Sequence, residues 1–325
     1  MRAIVHDRYG PPSSLELREI DRPTVGDNQV LVKVHAVSVN PLDWYFLTGR
    51  PYIARAAFGL RRPKQTTPGA DVAGTVEAVG NEVRSFAVGD QVWGGCRGSF
   101  AEYAVASETS LVPKPAEVSF EHAAATNVAA LTALQGLRDV ANVQPGQRVV
   151  IDGASGGVGT FAVQLAKHLG AHVTGVCSAR NVEMVGSIGA DEVIDYTNVD
   201  FTDPNGSQEA YDVVFDNIGN RRLRDIRRVM STDGVYVLVG APKGGTVLGP
   251  MKRLVAIGVT NPFVTQRLAS FTAKVLLADL QAVNELLADG TIVPVIDRTY
   301  PLADAAAALT HLETGRARGK IIVTP

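Results

Sequence analysis

The chain predicts an α/β fold in two parts, a strand-rich β-barrel domain and a doubly wound parallel sheet, and three observations carry that reading. Arg148 to Cys177 reads as a strand, a glycine turn, a helix and a second strand, the order of a βαβ unit. β-Rich apolar runs recur at Glu192 to Asp195, Tyr211 to Asp216 and Gly234 to Gly240, with helix-compatible segments between them. Before Ser119 the texture differs: short alternating strands and repeated glycines suit a strongly curved barrel, whose bends need residues without side chains.

In order along the chain, Met1 to Val5 and Leu15 to Ile20 flank the turn at Tyr9-Gly10-Pro11-Pro12, and Gln29 to Val39 alternates as a half-buried strand. Gly69 to Gly80 continues the pattern, followed by the Val88-Gly89-Asp90 turn and the strands Gln91-Val92-Trp93 and Phe100 to Val105. Ser119-Phe120-Glu121-His122 caps an alanine-rich helix that runs on through Leu131 and Leu137. Pro145-Gly146 leads into the strand Arg148 to Asp152; after the glycine turn, the apolar residues of Phe161 to Lys167 return every three or four positions, as on an amphipathic helix. Gly170 ends that helix, and Ala171 to Cys177 is the next strand. Arg267 to Thr272 reads as a last edge strand, Lys274 to Asp289 as a helix, and Gly319 to Val323 as a strand that rejoins the N-terminal barrel.

Ala154, Ser155, Gly156, Gly157, Val158 and Gly159 form the turn that a dinucleotide needs, because pyrophosphate must sit against backbone N–H groups at a helix N-terminus and a Cβ would hold it off. The register is imperfect, with Ala154 in the first glycine position and an extra glycine at Gly153. Beyond the second strand no acid waits for a ribose 2′-hydroxyl. Ser178 and Arg180 stand there instead, Arg180 lying 180 − 156 = 24 positions past Gly156, and guanidinium and hydroxyl suit a 2′-phosphate, so the cofactor expected is NADPH. The alternative for Arg180 is an ordinary surface arginine. In a doubly wound sheet the ligand lies across the carboxyl ends of the strands, which adds Tyr196, Asn217, Ile218, Gly240 and Ala241.

With 325 residues, 46% hydrophobic and 20% charged, the chain suits a soluble globular protein of two domains. A net charge of −2 gives no reason to expect nucleic acid, and the basic run Arg221 to Arg228 suits a solvated helix face. No run reaches the length of a membrane span. Two cysteines, Cys96 and Cys177, are too few for a disulfide framework or a cysteine-based zinc site; the first 30 residues lack an apolar signal core, and a reducing cytoplasm is expected.

Val39-Asn40-Pro41-Leu42-Asp43, Pro68 to Gly74, the Gly153 to Gly159 turn, Gly189 to Tyr196 and Gly315 to Lys320, taken together in this order, resemble the medium-chain dehydrogenase/reductase superfamily in its zinc-free quinone oxidoreductase (zeta-crystallin-like) branch. The resemblance implies a GroES-like catalytic domain, residues 1–121 and 275–325, split around a Rossmann domain at 122–274. It implies an NADPH-dependent reductase of quinones or α,β-unsaturated carbonyl compounds, acting in the cleft between the domains, and a homodimer formed through the edge strand. It places Asn40 beside the nicotinamide, Thr132 facing it, and Phe263, Val264 and Lys320 with the cofactor. Asn40, Tyr45 and Tyr52 are the candidate catalytic donors to a substrate oxygen. Each has a bland reading: Asn40 caps the turn at Pro41, the tyrosines pack, and Thr132 bonds its own helix backbone. The segment from Arg50 to Thr67, with Arg50, Arg55, Arg61 and Arg62, departs from the family pattern and is expected to shape the mouth of the cleft.

No metal is expected. Zinc alcohol dehydrogenases of the superfamily carry cysteine at the position of Asn40 and a His-Glu pair at Ala70-Asp71, and the six histidines show no paired spacing. A second reading of another class stays open: a non-catalytic NADPH-binding protein that keeps the nucleotide site without turnover.

Overall fold

The computed structural model describes residues 1–203, 209–240 and 251–325. They form two units, Met1–Leu131 with Val275–Pro325, and Thr132–Lys274. In chain order the first unit holds β1 (Arg2–Val5), β2 (Glu16–Glu19), β3 (Gln29–Val39), α1 (Pro41–Thr48), α2 (Arg55–Phe58), β4 (Asp71–Val79), β5 (Gln91–Gly95), β6 (Tyr103–Ser107) and β7 (Leu111–Pro113). The division falls inside α3 (Phe120–Leu134). The second unit then holds β8 (Arg148–Asp152), α4 (Gly157–His168), β9 (His172–Cys177), α5 (Val182–Ser187), β10 (Glu192–Asp195), β11 (Tyr211–Asp216), α6 (Leu223–Arg228), β12 (Met230–Leu238), α7 (Met251–Thr260) and β13 (Arg267–Ser270). The chain returns to the first unit with α8 (Leu277–Ala288), β14 (Ile296–Pro301), α9 (Ala305–Glu313) and β15 (Lys320–Thr324).

The long strand β3 organises the first unit. The sheet runs β14-β15-β3-β4-β5-β7 with β6 also on β3. β4 covers one edge of β3; the other edge is shared by β6, paired with Gln29 to Lys33, and β15, paired with Val37 to Val39. With both edges paired, β3 sends Val30, Val32, Val34, Val37 and Val39 into one core with Val72, Val76, Val92, Phe100, Leu309, Ile321 and Val323. Register slips between Leu31 and Val32 and again between Val34 and Ala36, so the β3–β4 pair bulges. Gly74 sits at that bulge, where a Cβ would meet the Lys33 carbonyl oxygen at 2.1 Å; the close strand approach admits no side chain.

The first division comes after Leu131, later in the chain than residue 121. The cause is polar. Asp71 Oδ1 in β4 accepts from Asn127 Nδ2 at 2.9 Å and from the Val128 backbone N–H at 3.1 Å, and these bonds bind the first turns of α3 to the β-rich unit. Ser119 caps this helix, its Oγ accepting from His122 N at 3.2 Å. The second division falls between Lys274 and Val275.

In the second unit six strands run parallel in the order β10-β9-β8-β11-β12-β13, a doubly wound sheet whose direction of winding reverses between β8 and β11. Its α4 buries Phe161, Ala162, Val163, Leu165 and Ala166, and Gly170 closes that helix at φ +81°. On the face holding α6 and α7, Leu223, Ile226 and Ile257 pack with Val214, Tyr236 and Leu268. β13 lies at the sheet edge and stops at Ser270, short of Thr272.

Candidate functional site

Each unit gathers one of the two groups of predicted residues. In the second unit the glycine turn joins β8 to α4. Gly156 is the N-cap of α4 with no side-chain capping bond, and the helix has no acid in its first turn, so the chain itself leaves the helix N-terminus open to an anion. The glycines differ in duty. A Cβ on Gly159 would meet Gly153 O at 2.1 Å and Ala154 Cα at 2.8 Å, so Gly159 is needed for the turn to close. At Gly156 the nearest atom is Gly153 O at 3.4 Å, so its Cα faces open space, as close approach of a pyrophosphate requires.

The winding reversal is held by Asn217, whose Nδ2 and backbone N–H give to the Asp152 carbonyl at 3.0 and 3.1 Å. Its Oδ1 is buried without a hydrogen-bond partner among the described residues, at the carboxyl ends of β8 and β11. Ile218 is exposed beside it, touching the position a Cβ of Gly153 would take, and Gly240 lies so close that a Cβ would strike Asn217 O. Burial pushes the Asp152 carboxyl up to about 7, helped by the Asp216 charge. At the end of β9, Ser178 starts the helical turn Ala179–Asn181 that carries exposed Arg180, and Tyr196 N bonds back to Cys177 O at 3.0 Å. Asn181, which the sequence reading passed over, is 4% exposed and gives from one Nδ2 to Ser155 Oγ at 3.0 Å and Ser178 Oγ at 3.4 Å. The turn, Ser178, Arg180, Tyr196, Asn217, Ile218 and Gly240 are thus all strand-end residues of one sheet. Phe263 and Val264 lie instead in and after the helical turn Asn261–Phe263 that precedes the edge strand β13, and Thr132 lies on α3. Ala241 falls outside the described residues.

In the first unit the candidates sit around the entry to α1. Asn40 is its N-cap, with Pro41 at N1; Asp43 Oδ2 accepts from Asn40 N at 2.8 Å, while Asp43 N gives to Asn40 O at 3.0 Å. The Asn40 side chain, 2% exposed, is committed as well. Its Nδ2 gives to Asp71 Oδ2 at 2.8 Å and to Ser38 O at 3.3 Å, and its Oδ1 accepts from Lys320 Nζ at 2.7 Å. The structure therefore corrects the view of Asn40 as a donor to a substrate oxygen: both amide hydrogens are engaged, and what is left is acceptor capacity on Oδ1. Lys320 differs from expectation too. Its ammonium is buried and turned to Asn40 and, at 3.6 Å, to Asp71, because a charge removed from water must find oxygen partners inside. Burial lowers the Lys320 pKa from its ordinary value, against the opposing pull of Asp71 and Asp43. Burial also raises Asp43 to about 7, although Asn40 N and Gly69 N bond to its carboxylate.

Tyr45 is half-buried on α1, and burial raises its phenol pKa; Tyr52 is exposed, with the Arg55 guanidinium 4.6 Å from its ring centre. Asp71, Asp43 and Ser38 complete the polar cluster, Ser38 Oγ giving to Asp71 Oδ2. The Asn-Pro-x-Asp spacing carried a signal for Asp43 as a capping partner. Asn181 had none beyond its place after Arg180. Among the described residues no three His, Cys, Asp or Glu side chains are grouped as a metal site, and no helix is long and apolar enough to cross a membrane.

A GroES-like unit and a Rossmann unit with an open glycine turn define a dinucleotide-binding oxidoreductase, and known proteins agree with this class. Residues 26–116 match the alcohol dehydrogenase GroES-like domain and 188–323 the family described as zinc-binding dehydrogenase. The chain is 34% identical to a chloroplast envelope quinone oxidoreductase homolog of Arabidopsis thaliana, over all of this chain and 98% of the relative. It is 32% identical to a 2-methylene-furan-3-one reductase of Solanum lycopersicum, over all of this chain and 79% of that one. The solved quinone oxidoreductase of Escherichia coli complexed with NADPH superposes with a TM-score of 0.85 at 25% identity, covering the whole of both chains. The chain belongs to the quinone oxidoreductase branch of the medium-chain dehydrogenase/reductase superfamily.

Proposed function

We propose that this protein is an NADPH-dependent, metal-independent reductase of quinones or α,β-unsaturated carbonyl compounds. The observation that carries the reading is the cluster at Asn40: where zinc relatives place metal ligands, this chain has an amide, an alanine and an aspartate, with the amide tied to Asp71 and Lys320. That donor set makes hydrogen bonds rather than a closed coordination shell. When bound, the nicotinamide supplies the hydride. The chain's part is to hold phosphates at the α4 N-terminus and Ser178 and Arg180, and to offer hydrogen-bond donors to an acceptor oxygen. With Asn40 committed, Tyr45 and Tyr52 are the donors proposed. Charge on a conjugated acceptor delocalises onto an oxygen that such modest donors stabilise, whereas an isolated alkoxide lacks a strong Lewis acid here.

The relatives' names support both acceptor classes, quinone and enone. A homodimer through the edge strand β13 and a cytoplasmic location belong to the same proposal. The test is NADPH oxidation over a panel of quinones, enones and alcohols, before and after exhaustive chelation. Activity on conjugated acceptors that survives chelation is expected; stoichiometric zinc with chelator-sensitive alcohol oxidation would overturn the reading.

A further inference from the structure

We propose that Asn181 sets the donor polarity of the nucleotide site, and so its preference for a phosphorylated ribose. An amide nitrogen carries two hydrogens and only donates. Asn181 directs its Nδ2 at Ser155 Oγ, 3.0 Å away in the glycine turn, and at Ser178 Oγ, 3.4 Å away at the end of β9. Each hydroxyl accepts there from Asn181 and so keeps its single O–H to give. Both serines are half-buried, while Asn181 is 4% exposed and held at the end of its helical turn by Asn181 N giving to Ser178 O at 2.8 Å. One buried side chain thus leaves two hydroxyls with an O–H to give, one in the glycine turn and one at the end of β9.

The polarity matters because a phosphate accepts hydrogen bonds, while a ribose hydroxyl is satisfied by a donor or an acceptor. A Ser178 locked as a donor favours a 2′-phosphate over a bare 2′-hydroxyl. Ser155, beside the uncapped N-terminus of α4, serves the pyrophosphate that both nucleotides share. Asn181 is therefore a positioning residue, acting through Ser155 and Ser178, and this inference rests on the NADPH reading above.

The experiment is a calorimetric titration of NADPH and NADH into the wild type, Asn181→Asp, Asn181→Ala, Ser178→Ala and the Asn181→Ala/Ser178→Ala double variant, with melting temperatures recorded for each. A carboxylate at 181 has no hydrogen to give, so both hydroxyls turn inward to it. The NADPH-to-NADH affinity ratio should fall by about tenfold or more in Asn181→Asp, the scale of a lost charge-assisted bond. Loss of both nucleotides by the same factor would overturn the proposal. If Asn181→Asp does not fold, the Ser178→Ala effect on NADPH decides: it should be smaller in the Asn181→Ala background, and an equal effect in both backgrounds shows that Asn181 does not orient Ser178. A wild type that binds neither nucleotide, or NADH the more tightly, removes the NADPH reading itself.

Discussion

Lys320 Nζ gives a 2.7 Å hydrogen bond to Asn40 Oδ1, joining residues 280 positions apart. This bond ties β15 to the entry of α1 and supplies the cation beside two buried carboxylates, Asp71 and Asp43. Removing it should be costly, since an uncompensated buried charge is worse than the intact pair is good. Lys320→Met, which keeps most of the apolar stem, is expected to lose about 3–5 kcal/mol of unfolding free energy in urea titration. A loss below about 1 kcal/mol, the scale of an exposed ion pair, would show that the ammonium does not balance the cluster.

The pH dependence of stability should carry the mark of Asp152. Its folded pKa is raised from 3.8 to about 7, with burial the leading cause. Between these values the folded chain binds a proton that the unfolded chain has released, so this contribution is full below about pH 4 and is lost as pH rises to about 7. Asp43 has the same sign, with its folded pKa also at about 7. Asp152→Asn stays neutral throughout, so its stability relative to wild type should climb from pH 4 to 7 in denaturant midpoints. Parallel profiles for the two proteins would rule the assignment out.

What the sequence disclosed and what it hid divide by distance along the chain. The unit from Arg148 to Cys177 was legible because strand, turn and helix declare themselves through local periodicity and glycine placement; β8 and β9 appear within a residue of their predicted ends, while α4 begins at Gly157, ahead of Phe161. The first boundary of the β-rich unit was not. It depends on Asp71 accepting from Asn127 and Val128, 56 and 57 positions later, and no local pattern records that pairing. For the same reason the sequence singled out Asn40 and Lys320 without pairing them, and the spending of Asn40's amide hydrogens on Asp71 and Ser38 emerged only in three dimensions.

Cofactor preference should respond to Arg180. It stands exposed in the turn after β9, two residues beyond Ser178. A charge-assisted contact to phosphate is worth about 1.5–3 kcal/mol, so Arg180→Ala should weaken NADPH about tenfold or more. NADH, which lacks the 2′-phosphate, should be nearly unaffected. Fluorescence titration with both nucleotides checks this, and equal losses would assign Arg180 to some part that the two cofactors share.

The glycine turn offers a pair of substitutions of identical chemistry and opposite outcome. At Gly159 an added methyl would lie 2.1 Å from Gly153 O and 2.8 Å from Ala154 Cα, both backbone atoms that cannot step aside without moving the strand-to-helix turn. Gly159→Ala is therefore expected to lower the melting temperature and to abolish nucleotide binding together. At Gly156 the backbone is extended, with φ −84° and ψ 176°, which any residue adopts, and a methyl meets only Gly153 O at 3.4 Å, an ordinary contact. Gly156→Ala should fold with an unchanged melting temperature. Its methyl nevertheless stands at the open N-terminus of α4, where a pyrophosphate would approach, and NADPH and NADH should both lose affinity by about tenfold or more because they share that group. Calorimetry for unfolding and titration for binding separate the two effects. If Gly156→Ala bound both nucleotides as wild type does, the pyrophosphate would have to lie away from this turn.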